Sequence, residues 1–259
     1  VQHLGISTLQ RLQELNAGSC LQQSELLAAL SALTALTSVD IYYDDTAAAA
    51  RAAPAWQHVP ALHTLRMRYA ETAATLGPAE SLALLQGVAT ANRLTYLSIN
   101  GPIVHDSVQL CAHLTGLTRL QKLMIEGAHL ESRADVLHLT ALTSLTLLDL
   151  WKARGVDDTA ASVLALRLTQ LQDLRLSCCS LRSAAALPSI ATLTGLTSLT
   201  LNSNASPPSA GGLPLGRDEL LLLKPLTRLK ALRCHSFFMR EAHSELWDHK
   251  LCQWRRQQT

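Results

Sequence analysis

LTGLTSLTLNSN, residues 193–204, changes its period partway through. Leucine recurs every third residue at Leu193, Leu196 and Leu199, then Leu201 follows after two and Asn204 after three more. A spacing of three suits a turn, and a spacing of two suits a strand whose side chains alternate between faces. The stretch therefore predicts a turn feeding a short strand, with Leu199 and Leu201 on the same side.

The phrase returns along the chain. Nine copies read Leu12-Leu15-Ala17-Cys20, Leu36-Val39-Ile41-Asp44, Leu62-Leu65-Met67-Ala70, Leu94-Leu97-Ile99-Pro102, Leu120-Leu123-Ile125-Ala128, Leu145-Leu148-Leu150-Ala153, Leu171-Leu174-Leu176-Cys179, Leu196-Leu199-Leu201-Asn204 and Leu229-Leu232-Cys234-Phe237. The second member of each copy lies at 15, 39, 65, 97, 123, 148, 174, 199 and 232, a repeat of 24 to 33 residues. Self-similarity at that period marks a stacked array. Between the strands, helices are predicted over 24–32, 46–57, 78–91, 106–114, 131–139, 158–168, 183–193 and 218–223. Ser24, Asp45, Asp106, Asp157 and Ser183 supply N-caps.

The recurring LxxLxLxxN/C phrase resembles the leucine-rich repeat family, and the resemblance covers nearly the whole chain. It implies an α/β solenoid of about nine strand–helix repeats, a curved horseshoe with a parallel sheet on the concave side and helices on the convex side. Cys20 and Cys179 resemble the cysteine-containing and ribonuclease-inhibitor-like branches, whose convex sides are helical. Elementary packing points the same way, because strands stack at about 4.8 Å and helices at nearer 10 Å, and the mismatch bends the stack. In the family the last position of the phrase satisfies backbone groups at the turn after the strand. Ala70, Ala128 and Ala153 cannot do so, which argues against a regular hydrogen-bonded ladder along the turns.

The array is assigned to 1–238, beginning within a repeat at Val1, so that a preceding segment or a partner is needed to cover its first apolar flank. Two repeats are long. In one, Gly77-Pro78 breaks the chain; the other contains NSNASPPSAGGLPLGR, a loop insertion over 202–217 rich in turn residues. Residues 239–259 read as a C-terminal capping helix and tail, with Leu246, Trp247, Leu251 and Trp254 on or near one face.

The composition is 48% hydrophobic and only 4% aromatic, so the core must be aliphatic. Mean hydropathy is +0.14, yet no apolar run approaches the ~18 residues of a membrane span. A formal net charge of +2 is too mild for a polyanion-binding footprint. Six cysteines without a CxxC pair point to a reducing, intracellular setting, the cytoplasm, or an organelle if a targeting segment precedes Val1.

No constellation carries chemistry. GGLPLG at 211–216 lacks the GK[ST] of a phosphate loop, no GxSxG occurs, and Asp106 beside His105 and Ser107 suits a helix cap. Cys234, His235, His243, His249 and Cys252 match no zinc spacing, and Asn204-Ala205-Ser206 is a formal glycosylation sequon at a turn position. The chain is read as a non-enzyme without catalytic, cofactor or metal site.

Binding is expected on the outward strand positions. Asp40, Tyr42, Tyr43, Arg66, Arg68, Tyr69, Tyr96, Met124, Glu126, Asp149, Trp151 and Arg175 form the candidate partner-binding surface, with Asn100, Lys122, Lys152 and Asp173 also outward. Tyrosine, tryptophan and arginine dominate binding hot spots. The charges are mixed, which favours a protein partner over nucleic acid. The function read from this is a non-catalytic protein–protein interaction module. The alternative is a structural or scaffold subunit of a large intracellular or organellar complex, possibly a nucleoprotein, that binds through its ends or the 202–217 loop.

Overall fold

A computed structural model describes residues 11–17, 33–43, 56, 59–69, 77–101, 108–127, 130–203 and 217–236, with the side chains of 43, 69, 203, 217, 235 and 236 outside this set. The strands are β1 (Glu14–Ala17), β2 (Ser38–Tyr43), β3 (Thr64–Tyr69), β4 (Tyr96–Asn100), β5 (Lys122–Glu126), β6 (Leu147–Trp151), β7 (Asp173–Cys179), β8 (Ser198–Ser203) and β9 (Ala231–Ser236). They form one open sheet in strict chain order. Each neighbouring pair is parallel.

Both signature positions of each repeat face the core. Val39, Leu65, Leu97, Leu123, Leu148, Leu174 and Leu199 are one another's register partners, and Ile41, Met67, Ile99, Ile125, Leu150, Leu176 and Leu201 form the parallel column. All fourteen are buried, whereas Leu15 on β1 and Leu232 and Cys234 on β9 are only partly so. Each fully buried leucine contributes roughly 1.5–3 kcal/mol, most of it realised against the next repeat, so stability is a property of the stack.

The period of three resolves into a turn. Leu196 N–H donates to the Leu193 carbonyl at 2.8 Å, and the same bond recurs from Leu36 to Leu33, Leu94 to Ala91, Leu120 to Leu117, Leu145 to Leu142 and Leu171 to Leu168. The residue that follows then ties its repeat to the one before. Thr37, Thr95, Thr146 and Thr197 donate both N–H and hydroxyl to the carbonyls of Gln13, His63, Gln121 and Gln172.

The described residues between strands from β3 onward include the helices α1 (Pro78–Thr90), α2 (Leu110–Leu114), α3 (Arg133–Leu137), α4 (Asp158–Arg167), α5 (Leu187–Ile190) and α6 (Arg217–Leu221). Pro78 opens α1, where its missing N–H costs nothing, and Gly77 N–H donates to Glu80 Oε2 at 3.0 Å. Gly77-Pro78 thus marks the start of the helix predicted over 78–91. Segments 131–139 and 183–193 are partly 3₁₀, at His138–Ala141 and Ala184–Ala186. Asp157 caps α4 through Ala160 N–H at 2.8 Å, and Ser183 accepts from Ala185 N–H. The predicted helix over 24–32, the caps Ser24, Asp45 and Asp106, the 204–216 part of the loop insertion and the capping helix over 239–259 lie outside the described residues, as does most of the 46–57 segment. Its Trp56 is buried.

Carboxylates bind neighbouring repeats together on the helical side. Asp135, buried on α3, accepts from the N–H groups of Cys111 and Ala112 in α2 at 3.3 and 3.1 Å. Asp158 accepts from Ser183 Oγ at 3.0 Å, and Arg133 pairs with Asp157.

At the exit of β4 to β7 four equivalent residues adopt the left-handed conformation: Gly101 (φ 112°), Gly127 (φ 75°), Lys152 (φ 61°) and Cys178 (φ 57°). Their N–H groups link the turns, from Gly101 to the Glu126 carbonyl, Gly127 to that of Trp151 and Lys152 to that of Ser177. These backbone bonds tie the strand ends of successive repeats together. At the last position of the phrase, the Cys179 thiol reaches the carbonyls of Leu150 and Ser177, each at 3.6 Å.

Candidate functional site

Alternation puts three rows of side chains on the open face of the sheet. The middle row runs Asn16, Asp40, Arg66, Ser98, Met124, Asp149, Arg175, Thr200 and Arg233 in continuous register. One side of it holds Tyr96, Lys122, Leu147 and Asp173; the other holds Tyr42, Arg68, Asn100, Glu126, Trp151, Ser177 and Asn202. Asp40, Tyr42, Arg66, Arg68, Tyr96, Met124, Glu126, Asp149, Trp151 and Arg175 therefore share one surface, as their alternation predicts.

Tyr43 and Tyr69 pair with each other one step further along their strands, in the column that becomes left-handed at Gly101. Lys152 stands in that column too, not in an outward row. The side chains of Tyr43 and Tyr69 fall outside the described residues.

The cluster on β2 to β5 is linked across strands. Arg68 grips Asp40 with Nε to Oδ1 at 3.0 Å and a second nitrogen to Oδ2 at 2.6 Å. Arg66 lies over the Tyr96 ring, 4.7 Å from its centre, and the Tyr96 hydroxyl reaches Met124 Sδ at 3.1 Å. A guanidinium stacked on a ring is held flat with its N–H donors presented outward. Tyr42 stands exposed beside this group.

The cluster on β4 to β7 is acidic. Asn100 Nδ2 donates to Glu126 Oε2 at 2.8 Å. Arg175 gives its closer bonds to Asp173, at 2.6 and 3.1 Å, and reaches Asp149 at 3.4 Å. Burial pushes the Asp149 carboxyl above the ordinary range; Arg175 opposes that rise, and the charges of Asp173 and Glu126 add to it. Trp151 lies alongside Glu126, with Lys152 Nζ over its ring at 4.0 Å. Cys178 is half-buried nearby, its thiol raised by burial and lowered in part by a hydrogen bond from Trp151 and by the Lys152 charge.

Asn100 and Asp173 belong to these networks although only their outward position marks them in the sequence, and Lys122 stands exposed opposite Tyr96. No group of three or more His, Cys, Asp or Glu that could hold a metal ion occurs among the described residues, and none of their helices is long and apolar enough to cross a membrane. The arrangement is a polar surface that carries aromatic rings.

No family profile and no curated protein sequence matches the chain. Solved structures do. An internalin from Listeria monocytogenes aligns over 89% of this chain and 63% of its own, with a TM-score of 0.56 and 18% identity. The leucine-rich-repeat ectodomain of the Arabidopsis receptor kinase HAESA, solved with an N-terminally extended IDA peptide hormone ligand, aligns over 85% of this chain and 32% of its own, with a TM-score of 0.53 and 18% identity. The chain thus spans less than two thirds of either neighbour. The likeness is one of fold, the leucine-rich-repeat solenoid.

Proposed function

We propose that this leucine-rich-repeat chain is a non-catalytic protein-binding module whose partner lies across the open face of β2 to β7. The observation that carries the reading is the linked set Arg66, Tyr96 and Met124 beside exposed Tyr42, in a chain with few aromatic residues. Aromatic rings and arginines on a rigid sheet lose little entropy on binding and supply most of the energy of an interface. A reducing, intracellular compartment suits the free thiols of Cys111, Cys178, Cys179 and Cys234.

A photoreactive amino acid placed at Ser98, in the middle row of the open face, tests the assignment. It should crosslink the partner from the source cell, whereas the same group at Leu166, exposed on α4, should not. Crosslinks from Leu166 alone would place the partner on the helical side.

A further inference from the structure

Two ion pairs on the open face are close: Arg68 with Asp40, and Arg175 with Asp173, each with a contact at 2.6 Å. The charges left over sort by sign. Arg66 on β3 and Lys122 on β5 flank Tyr96 of β4, and neither has a carboxylate partner among the described residues. Among the described residues, Glu126 on β5 accepts from the Asn100 amide and has no cationic partner. Asp149 on β6 competes with Asp173 for one guanidinium, and Asp173 has the closer bonds. Two cations thus gather around Tyr96, and two under-paired anions stand next to Trp151.

Unmatched charges on a recognition face select a partner by complementarity. Arg66, Ser98, Met124 and Asp149 are consecutive register partners in one row, so Arg66 and Asp149 stand three strand spacings apart, about 14 Å. An extended chain covers that span in about four residues, and an even separation keeps both side chains on the same side of it. Between the two poles the row holds Ser98 and Met124, neither of which carries a charge.

We infer that the open face recognises an extended peptide segment carrying an acidic side chain for Arg66 and Lys122 and, about four residues away, a basic side chain for Glu126 and Asp149. This rests on the open-face reading above. The neutral pairs Arg68–Asp40 and Arg175–Asp173 bracket the two poles and keep the face itself rigid.

The probe is a displayed library of random dodecapeptides selected against the full chain. Selected peptides should be enriched in an acid and a base about four positions apart. Arg66→Glu should reverse the preference at the acidic position alone and Glu126→Lys that at the basic position alone, each weakening a wild-type-selected peptide about tenfold. Both residues sit on the solvated face, and Arg66→Gln and Glu126→Gln give milder losses if a reversal unsettles the fold, as circular dichroism reports. Peptides without the charge pair, peptides indifferent to both substitutions, or no enrichment would overturn the inference. A photoreactive group in the selected peptides separates it from the reading beneath. Open-face crosslinks without a charge preference remove the charge rule only, and crosslinks confined to the helical side remove both.

Discussion

Gly155 lies so close to Ser132 of the preceding repeat that a Cβ would stand 2.6 Å from both the carbonyl carbon and the carbonyl oxygen of that residue. The approach is drawn tight by the Gly155 N–H, which donates to the Leu130 carbonyl at 2.6 Å. The obstacle is backbone, which cannot swing aside as a side chain would. Gly155→Ala should cost about 1–3 kcal/mol in a urea titration. Gly116, with open space where its Cβ would be, is the control, and alanine there should leave the midpoint unmoved.

The left-handed column predicts opposite effects of opposite exchanges. Gly127→Ala meets no clash nearer than 3.5 Å, so its cost is conformational and should be about 1–2 kcal/mol. Cys178→Gly removes the same strain from a residue that already bears it. It should raise stability by about 1 kcal/mol, measured by the denaturation midpoint. A loss of stability from that exchange would mean that the Trp151 contact outweighs the strain.

Asp135 ties stability to pH. Burial raises its carboxyl above the ordinary value, outweighing the hydrogen bonds from Cys111 and Ala112 and the charge of His138. The folded state then holds this proton more tightly than the unfolded chain. Its contribution is present in full below the unfolded pKa and is lost as pH rises through the folded one. Asp135→Asn, which keeps a carbonyl acceptor and cannot ionise, should flatten that fall. Thermal melts of both proteins from acid to neutral pH measure it, and parallel curves would remove Asp135 as the cause.

Thiol chemistry separates adjacent cysteines. Burial pushes Cys179 up to about 12, while Cys178 is half-buried beside the Lys152 charge that favours its thiolate. Iodoacetamide followed by peptide mass spectrometry should modify Cys178 and spare Cys179 in the folded chain. Lys152→Met withdraws the favourable charge, so the Cys178 pKa should rise and its alkylation slow at fixed pH. An unchanged rate would show that the lysine does not act on the sulfur.

Strand register was open to reading because hydrophobic spacing and side-chain alternation are local rules. Leu199 and Leu201 fix the facing of Thr200 and Asn202 without knowledge of any neighbour. What periodicity leaves out is who bonds to whom across repeats. Arg68 reaches Asp40 diagonally, 28 residues away, and nothing in either repeat's phrase distinguishes that pairing from Arg66 with Asp40. The exit column is hidden for another reason. Glycine would announce it, but Lys152 and Cys178 adopt the same backbone without glycine's signature, so Lys152 reads as one more outward residue. Asp135 is hidden by position: a carboxylate in the first turn of α3 looks like a local helix-dipole partner, yet its oxygens serve α2.

The turn that closes each LxxL has a further consequence. From Leu65 to Leu97 the chain takes 32 residues and from Leu123 to Leu148 only 25, yet both partners enter the sheet in the same phase. Surplus length is taken up among the helices, while the turn resets the count before every strand. The open face is therefore a fixed lattice of addresses, each given by a strand and a step along it. Sequence can drift in length on one side of the molecule without displacing a single coordinate on the other.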